Sequence, residues 1–424
     1  MGLASAYRTM ALAACIALAG HAAWAATLTL SCGSVGQEAR ECQDESNVWA
    51  ARTGNTVKVV GAPQSATERL ALYQQYLAAG SSDIDIYEID VIWPGVLASH
   101  LADLTGKVDA ATLAAHFPSI VANNTVGGKL LALPFFTDAG LLYYRSDLLE
   151  KYGFKPPKTW AELEAAARAV QEKERAAGHA DMQGFVWQGK AYEGLTVNAL
   201  EWVASSQGGA IVDADGHVTV DNPHAAQALD RAAGWVGTIS PKGVLNYTEE
   251  ETRGVFQSGA AVFMRNWPYA WALGQSAGSP VRGKVGVSAL PAGDGGVSAA
   301  VLGGWQMAVS KYSKNQDAAV DLVKYLCSAE LQKDRAIRFS QNPTIAALYK
   351  DPQVLAAVPF YGELYDVFTH TIARPSRVAG PRYAQLSSAF EATVHEVIAS
   401  GGGAAPKLAT LRTKLERMSR NGHW

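Results

Sequence analysis

Polar and apolar residues alternate with a period of two in short segments near the start of the chain, and segments with helical spacing separate them. Thr27–Ser31 alternates and predicts a first strand, residues 42–53 predict a helix, and Thr56–Val60 predicts a second strand. Residues 68–79 return to helical spacing, and residues 84–89 predict a third strand. Because this alternation of strands and helices is typical of parallel βαβ units, the pattern predicts an α/β fold.

The next part of the chain combines a bend with a strong helix start. Residues 131–144 are apolar and aromatic but are interrupted by Pro134 and Asp138. This predicts an extended chain that bends and passes from one layer into another. Thr159 and Glu162 match a capping box, which predicts a long helix that begins there and ends near residue 178.

The second half of the chain is dominated by helical spacing. Residues 191–265 are predicted to be mainly helical, with glycine and proline breaks. A glycine-rich stretch at 293–304 interrupts the pattern before a predicted strand at 305–310. Further helices are predicted at 315–327, at 330–339 and after the three glycines at 401–403.

Length and composition indicate a two-domain globular protein. The chain has 424 residues, more than one ordinary hydrophobic core accommodates. Hydrophobic residues make up 48% and charged residues 18%, which argues against disorder. The net charge is -3 and no block of lysine and arginine stands out, so a nucleic-acid partner is not expected. The ligand is expected to be uncharged or nearly so.

The N-terminus is predicted to be a signal peptide covering residues 1–25, which would place the mature protein in the periplasm. Arg8 supplies a positive charge, residues 10–20 form a short apolar run, and Ala23-Trp24-Ala25 gives a cleavage site. An alternative interpretation is a lipoprotein with a lipid on Cys15. Only a very short apolar segment separates Arg8 from Cys15, which disfavours that alternative.

Three cysteines remain after the predicted cleavage: Cys32, Cys42 and Cys327. Because an exported protein meets an oxidising compartment, the near pair Cys32 and Cys42 is predicted to form a disulfide. Two reduced, buried thiols are the alternative. No histidine or second cysteine pair lies at ligand spacing, so no metal site is predicted, and no cofactor is expected.

Motifs of catalysis are absent or lie in the wrong context. The sequence contains no Walker A pattern, no GxGxxG after a strand and no HExxH. Residues 274–278 match the G-x-S-x-G pattern of a serine nucleophile, but that motif requires a strand before it and a helix after it. Here an aromatic helix-like segment precedes and Ser279-Pro280 follows, so Ser276 is not expected to be a nucleophile.

Four short segments each combine an aromatic ring with a charged or amide group beside a chain bend or close backbone approach. They are residues 88–94, 133–140, 263–271 and 302–305. This mixture suits sugars, because their C–H faces pack on rings while their hydroxyl groups pair with carboxylates and guanidinium groups. Asp90 falls where a strand is predicted to end, the edge at which open α/β sheets bind ligands. The structural alternatives are a helix cap at Asp90, ordinary core aromatics and a glycine turn.

These segments together resemble one family. The run ALPFFTDAGLLYYRSDLLEKYGFKPPKTWAEL is similar to the signature region of extracellular solute-binding proteins of sugar ABC transporters, and MRNWPYAW, LGGW and IARP strengthen the match. The motifs point to the branch that binds trehalose and maltose. The resemblance implies a two-lobed α/β clamp of the type II-like periplasmic-binding-protein class, with a hinge, an interlobe ligand cleft and three crossings between lobes.

The resemblance also implies a ligand site and assigns roles within it. Asp90 and Asp138 would accept hydrogen bonds from sugar hydroxyls, and Arg374 and Arg69 would donate to them. The whole implied set is Glu38, Ser65, Arg69, Asp90, Phe136, Asp138, Trp267, Gly303, Gly304, Trp305 and Arg374.

The remaining implied roles concern stacking and register. Trp267 and Trp305 would stack on sugar rings, and the backbone amides of Gly303 and Gly304 would contact hydroxyls. Phe136 stands where relatives can carry tyrosine, which keeps stacking but removes a phenolic hydrogen bond.

Two implied positions each have two candidate residues. Gln37 and Glu38 both align near a family carboxylate, and Ser65 or Thr67 takes the part of a family threonine.

The implied lobes comprise residues 26–137 with 303–345, and residues 138–302 with 346–424. The implied function is capture of a disaccharide, trehalose-like or maltose-like, for permease subunits of an ABC importer in the inner membrane. The protein is expected to be a monomer without catalytic activity. The alternatives are a secreted glycosidase with Asp90 and Asp138 as its carboxyl pair, or a binder of another neutral solute such as a polyol.

Overall fold

The structure is a computed structural model that describes residues 25–33, 36–420 and 422–424. The predicted signal peptide and the alternative lipid site at Cys15 fall almost wholly in residues 1–24, outside the described residues. The strands of the described part are β1 (Thr27–Ser31), β2 (Thr56–Val60), β3 (Ile86–Asp90), β4 (Thr125–Val126), β5 (Lys129–Leu130), β6 (Leu133–Ala139), β7 (Leu141–Arg145), β8 (Gln183–Val186), β9 (Ala261–Asn266), β10 (Val285–Ser288) and β11 (Leu302–Val309).

The helices cover most of the rest of the described chain. They are α1 (Glu38–Thr53), α2 (Ala66–Ala78), α3 (Pro94–Leu97), α4 (Ala110–Ala115), α5 (Pro118–Asn123), α6 (Ser146–Tyr152), α7 (Trp160–Ala176), α8 (Glu193–Ser205), α9 (Pro223–Trp235), α10 (Glu249–Gln257), α11 (Ala270–Gly274), α12 (Gln316–Leu326), α13 (Ala329–Phe339), α14 (Pro352–Ala357), α15 (Phe360–Glu363), α16 (Tyr365–Thr369), α17 (Ser376–Ala379), α18 (Tyr383–Ser400) and α19 (Ala404–Ser419). Short 3-10 helices lie at Ala98–His100, Lys242–Asn246, Ala346–Lys350 and Gly380–Arg382.

Two main sheets define two lobes, as the predicted α/β clamp requires. The first sheet has the order β2-β1-β3-β11-β6, in which β1 is parallel to β2 and β3 while β11 runs antiparallel to β3 and β6. The second sheet has the order β10-β7-β9-β8, with β8 parallel to β9. In the first sheet Trp305 lies opposite Asp90, and Gly303 lies opposite Asp138.

The chain passes from the first sheet to the second at Gly140, between β6 and β7. This confirms the bend predicted within residues 131–144. A β-carbon at Gly140 would overlap the Glu201 carboxylate and the Arg265 guanidinium, so only glycine fits at the crossing. The chain returns to the first sheet through β11, which extends from one lobe into the other.

Several local predictions are confirmed, and two need correction. β1 and β2 have the predicted bounds, and Thr159 forms the predicted capping box with Glu162 at the start of α7. Residues 261–266 form strand β9 instead of continuing the helical region, because they pair with β7 and β8 in the second sheet. Gly303 and Gly304 belong to β11 and not to a turn before it.

The lobe boundaries predicted at residues 137/138 and 302/303 remain a prediction. The first boundary falls inside β6 and the second inside β11, the two neighbouring strands that approach the second lobe. After α13 the chain leads to α18, which packs on α8 and α9 of the second lobe.

Each lobe has a substantial core. Helices α1 and α12 pack against the first sheet, where Trp49 and Leu322 are buried. In the second lobe the buried rings of Trp160, Trp187, Trp202 and Trp235 form a continuous cluster with edge-to-face or tilted contacts, with centroids 4.9 to 6.3 Å apart. Among the described helices, none combines the length and the apolar character needed to cross a membrane.

Cys32 and Cys42 form a disulfide that joins the end of β1 to the first half of α1. This confirms the predicted pair. Cys327 is free and buried, and burial raises its pKa to about 12, so its thiol stays protonated at neutral pH.

Candidate functional site

A cavity of about 640 Å³, including its open mouth, lies between the lobes and is lined from both of them. The first lobe contributes α1, the ends of β3 and β6, and the start of β11. The second lobe contributes α8, the first residue of α10 and the segment after β9. The full lining is Glu38, Gln64, Ala66, Asp90, Phe136, Asp138, Tyr192, Glu193, Gly194, Val197, Glu249, Trp267, Tyr269, Gly303, Gly304, Trp305 and Arg374.

The structure brings nine of the eleven predicted site residues together on this cavity. They come from stretches as far apart in sequence as α1 and the segment before α17. The nine are Glu38, Asp90, Phe136, Asp138, Trp267, Gly303, Gly304, Trp305 and Arg374.

Ser65 and Arg69 are absent from the lining, so the structure does not bring them together with the other nine, and their contacts with a ligand stay a prediction. The Ser65 hydroxyl accepts a hydrogen bond from the backbone N–H of Glu68 and thereby caps α2. Arg69 is fully buried and lies behind Trp305. Thr67, the alternative to Ser65, also lies outside this lining. Its hydroxyl accepts a hydrogen bond from the backbone N–H of Glu193, 3.1 Å away in the other lobe.

Trp305 forms the aromatic surface on the first-lobe side. The Arg69 guanidinium carbon lies 4.1 Å from the centroid of its ring, and the Trp93 ring meets it edge-on at 5.5 Å. Arg69 is in turn paired with Glu88, with 3.0 Å between Nη1 and Oε2. The ring is therefore held from behind by a buried cation and supported at its edge.

Trp267 forms the aromatic surface on the second-lobe side and is held in a similar way. The Arg265 guanidinium carbon lies 4.0 Å from the ring centroid. Arg265 makes two bonds to Glu201, from Nε at 2.8 Å and from Nη2 at 2.7 Å. A β-carbon at Gly303 would lie 2.9 Å from the Trp267 ring, so glycine at this position lets the ring approach β11 closely.

Arg374 crosses between the lobes and binds two carboxylates. Its Nη2 donates to Asp90 Oδ1 at 3.0 Å, and its Nη1 donates to Glu193 Oε1 at 2.8 Å. Burial alone would lower the pKa of Arg374, but Asp90, Tyr383 and Glu193 outweigh it and raise the pKa above its usual value. The predicted donor is thus a permanent cation that joins the two lobes at the cavity.

Asp138 differs from Asp90 because no hydrogen bond or ion pair from the described residues reaches its carboxylate. Burial raises its pKa well above the usual value, Glu38 and Asp90 raise it further, and Arg265 opposes the shift. The side chain is buried yet lines the cavity. It is a buried acceptor on the cavity surface that remains available to a ligand.

Glu38 is held at the cavity by the start of α1, which the Cys32–Cys42 bridge ties to β1. The same β1 end is bound to the first sheet, because the backbone N–H of Gly33 donates to Glu88 Oε2 at 2.7 Å. The disulfide therefore lies next to the segment that brings Glu38 to the site.

Sequence reasoning missed most of the second-lobe lining. Tyr192 donates to Glu249 Oε2 at 2.7 Å, and the Trp267 indole N–H donates to Glu249 Oε1 at 3.4 Å. Tyr192-Glu193-Gly194 shows the same combination of ring, carboxylate and glycine as the four chosen segments, so this signal was present in the sequence. Tyr269 lay inside one of those segments, whereas Glu249 is one of several acidic residues at a helix start and carried no distinguishing signal.

One group of side chains elsewhere has metal-ligand chemistry. Ligand atoms of Asp213, Asp215 and His217 lie within 4.8 Å of one another, but the group is half-buried to exposed. Asp213 Oδ1 already accepts hydrogen bonds from the backbone N–H groups of Asp215 and His217. These hydrogen bonds explain why the three side chains lie close together, as parts of a polar turn.

The cavity offers carboxylates, one guanidinium and two tryptophan rings on opposing lobes. That chemistry is suited to holding a neutral, hydroxyl-rich molecule by hydrogen bonds while covering its apolar faces.

Comparison with known proteins agrees with this arrangement. The family described as bacterial extracellular solute-binding protein matches residues 38–333. A probable ABC transporter-binding protein of Deinococcus radiodurans is 55% identical over 405 residues, which cover 95% of this chain and 96% of that protein.

Solved structures show the same two-lobed fold. The maltose-bound MalE3 protein of T. maritima superposes with a TM-score of 0.88 at 40% identity, covering 93% of this chain and 100% of the other. A solute-binding protein of Agrobacterium vitis with bound D-mannitol gives a TM-score of 0.81 at 22% identity, covering 94% and 99%. This family binds solutes for transport and is not a family of enzymes, which confirms the prediction of a binding protein. The chain belongs to the bacterial extracellular solute-binding proteins of ABC transporters.

Proposed function

We propose that the protein captures a disaccharide of the trehalose or maltose type in the interlobe cavity and delivers it to an ABC importer. Asp138 and Asp90 accept hydrogen bonds from sugar hydroxyls, and Arg374 donates to them. Trp267 and Trp305 stack on the two sugar rings. The amides of Gly303 and Gly304 contact hydroxyls where the backbone is open to the cavity.

The observation that carries this proposal is the pairing of two guanidinium-backed tryptophan rings, one from each lobe, beside the buried carboxyl group of Asp138, which has no hydrogen-bond or ion-pair partner among the described residues. Two rings suit a ligand with two apolar faces, as a disaccharide has, and an unpartnered acceptor requires a hydroxyl donor. The maltose in the similar T. maritima protein supports the same ligand class.

Delivery to the membrane follows from the family. The closed, loaded form is presented to permease subunits in the inner membrane, and residues 1–25 act as the signal peptide that brings the protein to the periplasm. We expect a monomer, because one chain contributes both walls of the cavity.

A thermal-shift screen tests the ligand class. Trehalose, maltose, sucrose and palatinose are compared with mannitol and with buffer alone. A ligand that binds only the folded state at a concentration of about 100 times its Kd stabilises it by about 2.7 kcal/mol, which is a clear rise in Tm. A rise with mannitol alone would identify a polyol binder and overturn the disaccharide proposal.

Titration calorimetry then tests the site. Trp305→Ala is expected to weaken binding of the best disaccharide at least about tenfold, because it removes both a stacking surface and its buried area. Trp424→Ala is the matched control, since that ring bonds to Gly216 at the chain terminus and is not part of the lining. Unchanged affinity in Trp305→Ala would remove this ring from the site.

A further inference from the structure

Arg69 lies against the hidden face of Trp305 and has no access to the cavity. Its side chain is 0% exposed, and the guanidinium carbon is 4.1 Å from the centroid of the ring. The flat guanidinium and the indole therefore pack closely, and the ring's other face is left for the cavity.

Glu88 fixes the orientation of Arg69 and joins three segments that surround the site. Its Oε2 accepts from Arg69 Nη1 at 3.0 Å and from the backbone N–H of Gly33 at 2.7 Å. Arg69 Nε also donates to the carbonyl of Pro63 at 3.3 Å. The Gly33 contact leads toward Glu38, and the Pro63 contact lies next to Gln64, both of which line the cavity.

We propose that Arg69 and Glu88 are a positioning pair, which sets the plane of the Trp305 ring and through it the affinity for the ligand. Neither residue contacts the ligand. This inference rests on the proposed function, because affinity for a disaccharide is its readout.

Arg69 links Glu88 directly to the Trp305 ring. Trp305 stands in β11 opposite Asp90 of β3, and Glu88 lies two residues earlier in β3 with its side chain on the same face of the sheet as that of Asp90. Arg69 comes from α2, so it inserts between the helix and the sheet and stacks on the ring. A shift of the guanidinium would change the tilt of the ring directly.

The substitution Arg69→Lys separates the positioning of the Trp305 ring from the positive charge at position 69. An ammonium group keeps the positive charge near Glu88 but lacks the planar group that packs on the indole and the second donor that bonds to Pro63. Arg69→Lys is therefore expected to fold with a Tm close to that of the wild type while its disaccharide affinity falls about fivefold or more.

A double-mutant cycle on affinity tests the mechanism. The variants are Arg69→Lys, Trp305→Ala and the combination of the two, measured by calorimetry with the disaccharide selected in the thermal-shift screen. If Arg69 acts through the ring, Arg69→Lys has no further effect once Trp305 is alanine, and the combined loss equals that of Trp305→Ala. If Arg69 instead donates to the sugar, the two losses multiply and the proposal is overturned.

A second cycle provides the control. Arg69→Lys is combined with Trp267→Ala, whose ring lies in the other lobe against Arg265. The two losses are expected to multiply here, because Arg69 does not touch Trp267. Glu88→Gln, which keeps an acceptor for Gly33 and Arg69, repeats the test if Arg69→Lys folds poorly.

The outcomes also separate this inference from the proposed function. If the wild-type protein binds mannitol but no disaccharide, the proposed function fails, and the same cycle run with mannitol still tests the positioning role of Arg69. If the wild type binds and Arg69→Lys has wild-type affinity, the function stands and the positioning role of Arg69 is refuted.

Discussion

Each wall of the cavity holds a tryptophan ring against a buried arginine, but the two arginines differ in how fully they are hydrogen-bonded. On the first-lobe wall Trp305 is backed by Arg69, which is paired with Glu88. Arg69 Nη2 and Glu88 Oε1 are both buried without a hydrogen-bond partner among the described residues. On the second-lobe wall Trp267 is backed by Arg265, which makes two bonds to Glu201 and one to Gln188 at 3.2 Å.

The carboxylates beside the rings also differ in their partners. Asp90, opposite Trp305, is paired with Arg374. Asp138, next to Trp267 across Gly303, accepts no bond from the described residues. Asp90 and Asp138 both lie on the first-lobe wall, at the ends of β3 and β6, but only Asp138 is open to a ligand. Arg265, behind the second-lobe ring, is the more fully hydrogen-bonded of the two arginines. This difference indicates that ring support and ligand recognition are separate tasks.

The largest effect is expected from breaking the ion pair between Arg265 and Glu201. Glu201→Ala leaves Arg265 as a buried cation without its two strongest bonds and also removes the acceptor of the Val301 backbone N–H. We expect a loss of about 3–5 kcal/mol in the free energy of unfolding, measured by urea denaturation.

Glu88→Ala is the matched comparison on the other wall. It breaks one bond to Arg69 and one to the backbone N–H of Gly33, in a pair that already has unpartnered atoms. Its loss of stability is expected to be smaller than that of Glu201→Ala. An equal or larger loss would contradict the view that the two walls differ in their support.

The sequence alone predicts those site residues and strands that have a local sequence pattern. Asp90 at a strand end, the ring before Pro268 and the glycines before Trp305 each have a local signature, and all of them reach the cavity. Thr27–Ser31 and Thr56–Val60 were predicted with their observed bounds because alternation in short strands is unambiguous.

The rest depends on tertiary contacts that no local pattern encodes. Arg69 was predicted to donate to a ligand, because a charged residue on a helix looks the same in sequence whether it faces a cavity or packs behind a ring. Ser65 likewise has the side chain of a ligand donor and of a helix cap. Glu249 becomes a site residue only because α10 is brought against Trp267 and Tyr192.

A smaller effect, on affinity, is expected from the open carboxylate. Asp138→Asn keeps the shape of the side chain but replaces one carboxyl oxygen by an amide nitrogen that cannot accept, so disaccharide affinity should fall about tenfold, as for the loss of a hydrogen bond. Calorimetry measures the change, with exposed Asp103→Asn as the control that keeps wild-type affinity. Wild-type affinity in Asp138→Asn would show that the site recognises the ligand without this group.

In the absence of ligand, the free energy of unfolding of Asp138→Asn relative to the wild type is expected to depend on pH. The folded-state pKa of Asp138 lies above its unfolded value, so the folded state holds a proton that the unfolded state releases. The free energy of unfolding therefore falls as pH rises from the ordinary range of an aspartic acid towards the raised pKa. Asp138→Asn removes that contribution and should gain stability relative to the wild type with rising pH across this window. A difference that does not change with pH would contradict the raised pKa.

The smallest effect is expected at Ser65, which caps the helix that carries Arg69. Ser65→Ala removes the acceptor for the Glu68 backbone N–H, and we expect a loss of about 1 kcal/mol in the free energy of unfolding, seen as a lower Tm. Disaccharide affinity should stay within about twofold of the wild type, because capping fixes the helix end while Glu88 and Pro63 hold the Arg69 guanidinium. Ser65→Asp, which restores a cap, should recover the Tm. A large loss of affinity in Ser65→Ala with an unchanged Tm would place the hydroxyl at the ligand after all, and the first wall would then extend to the start of α2.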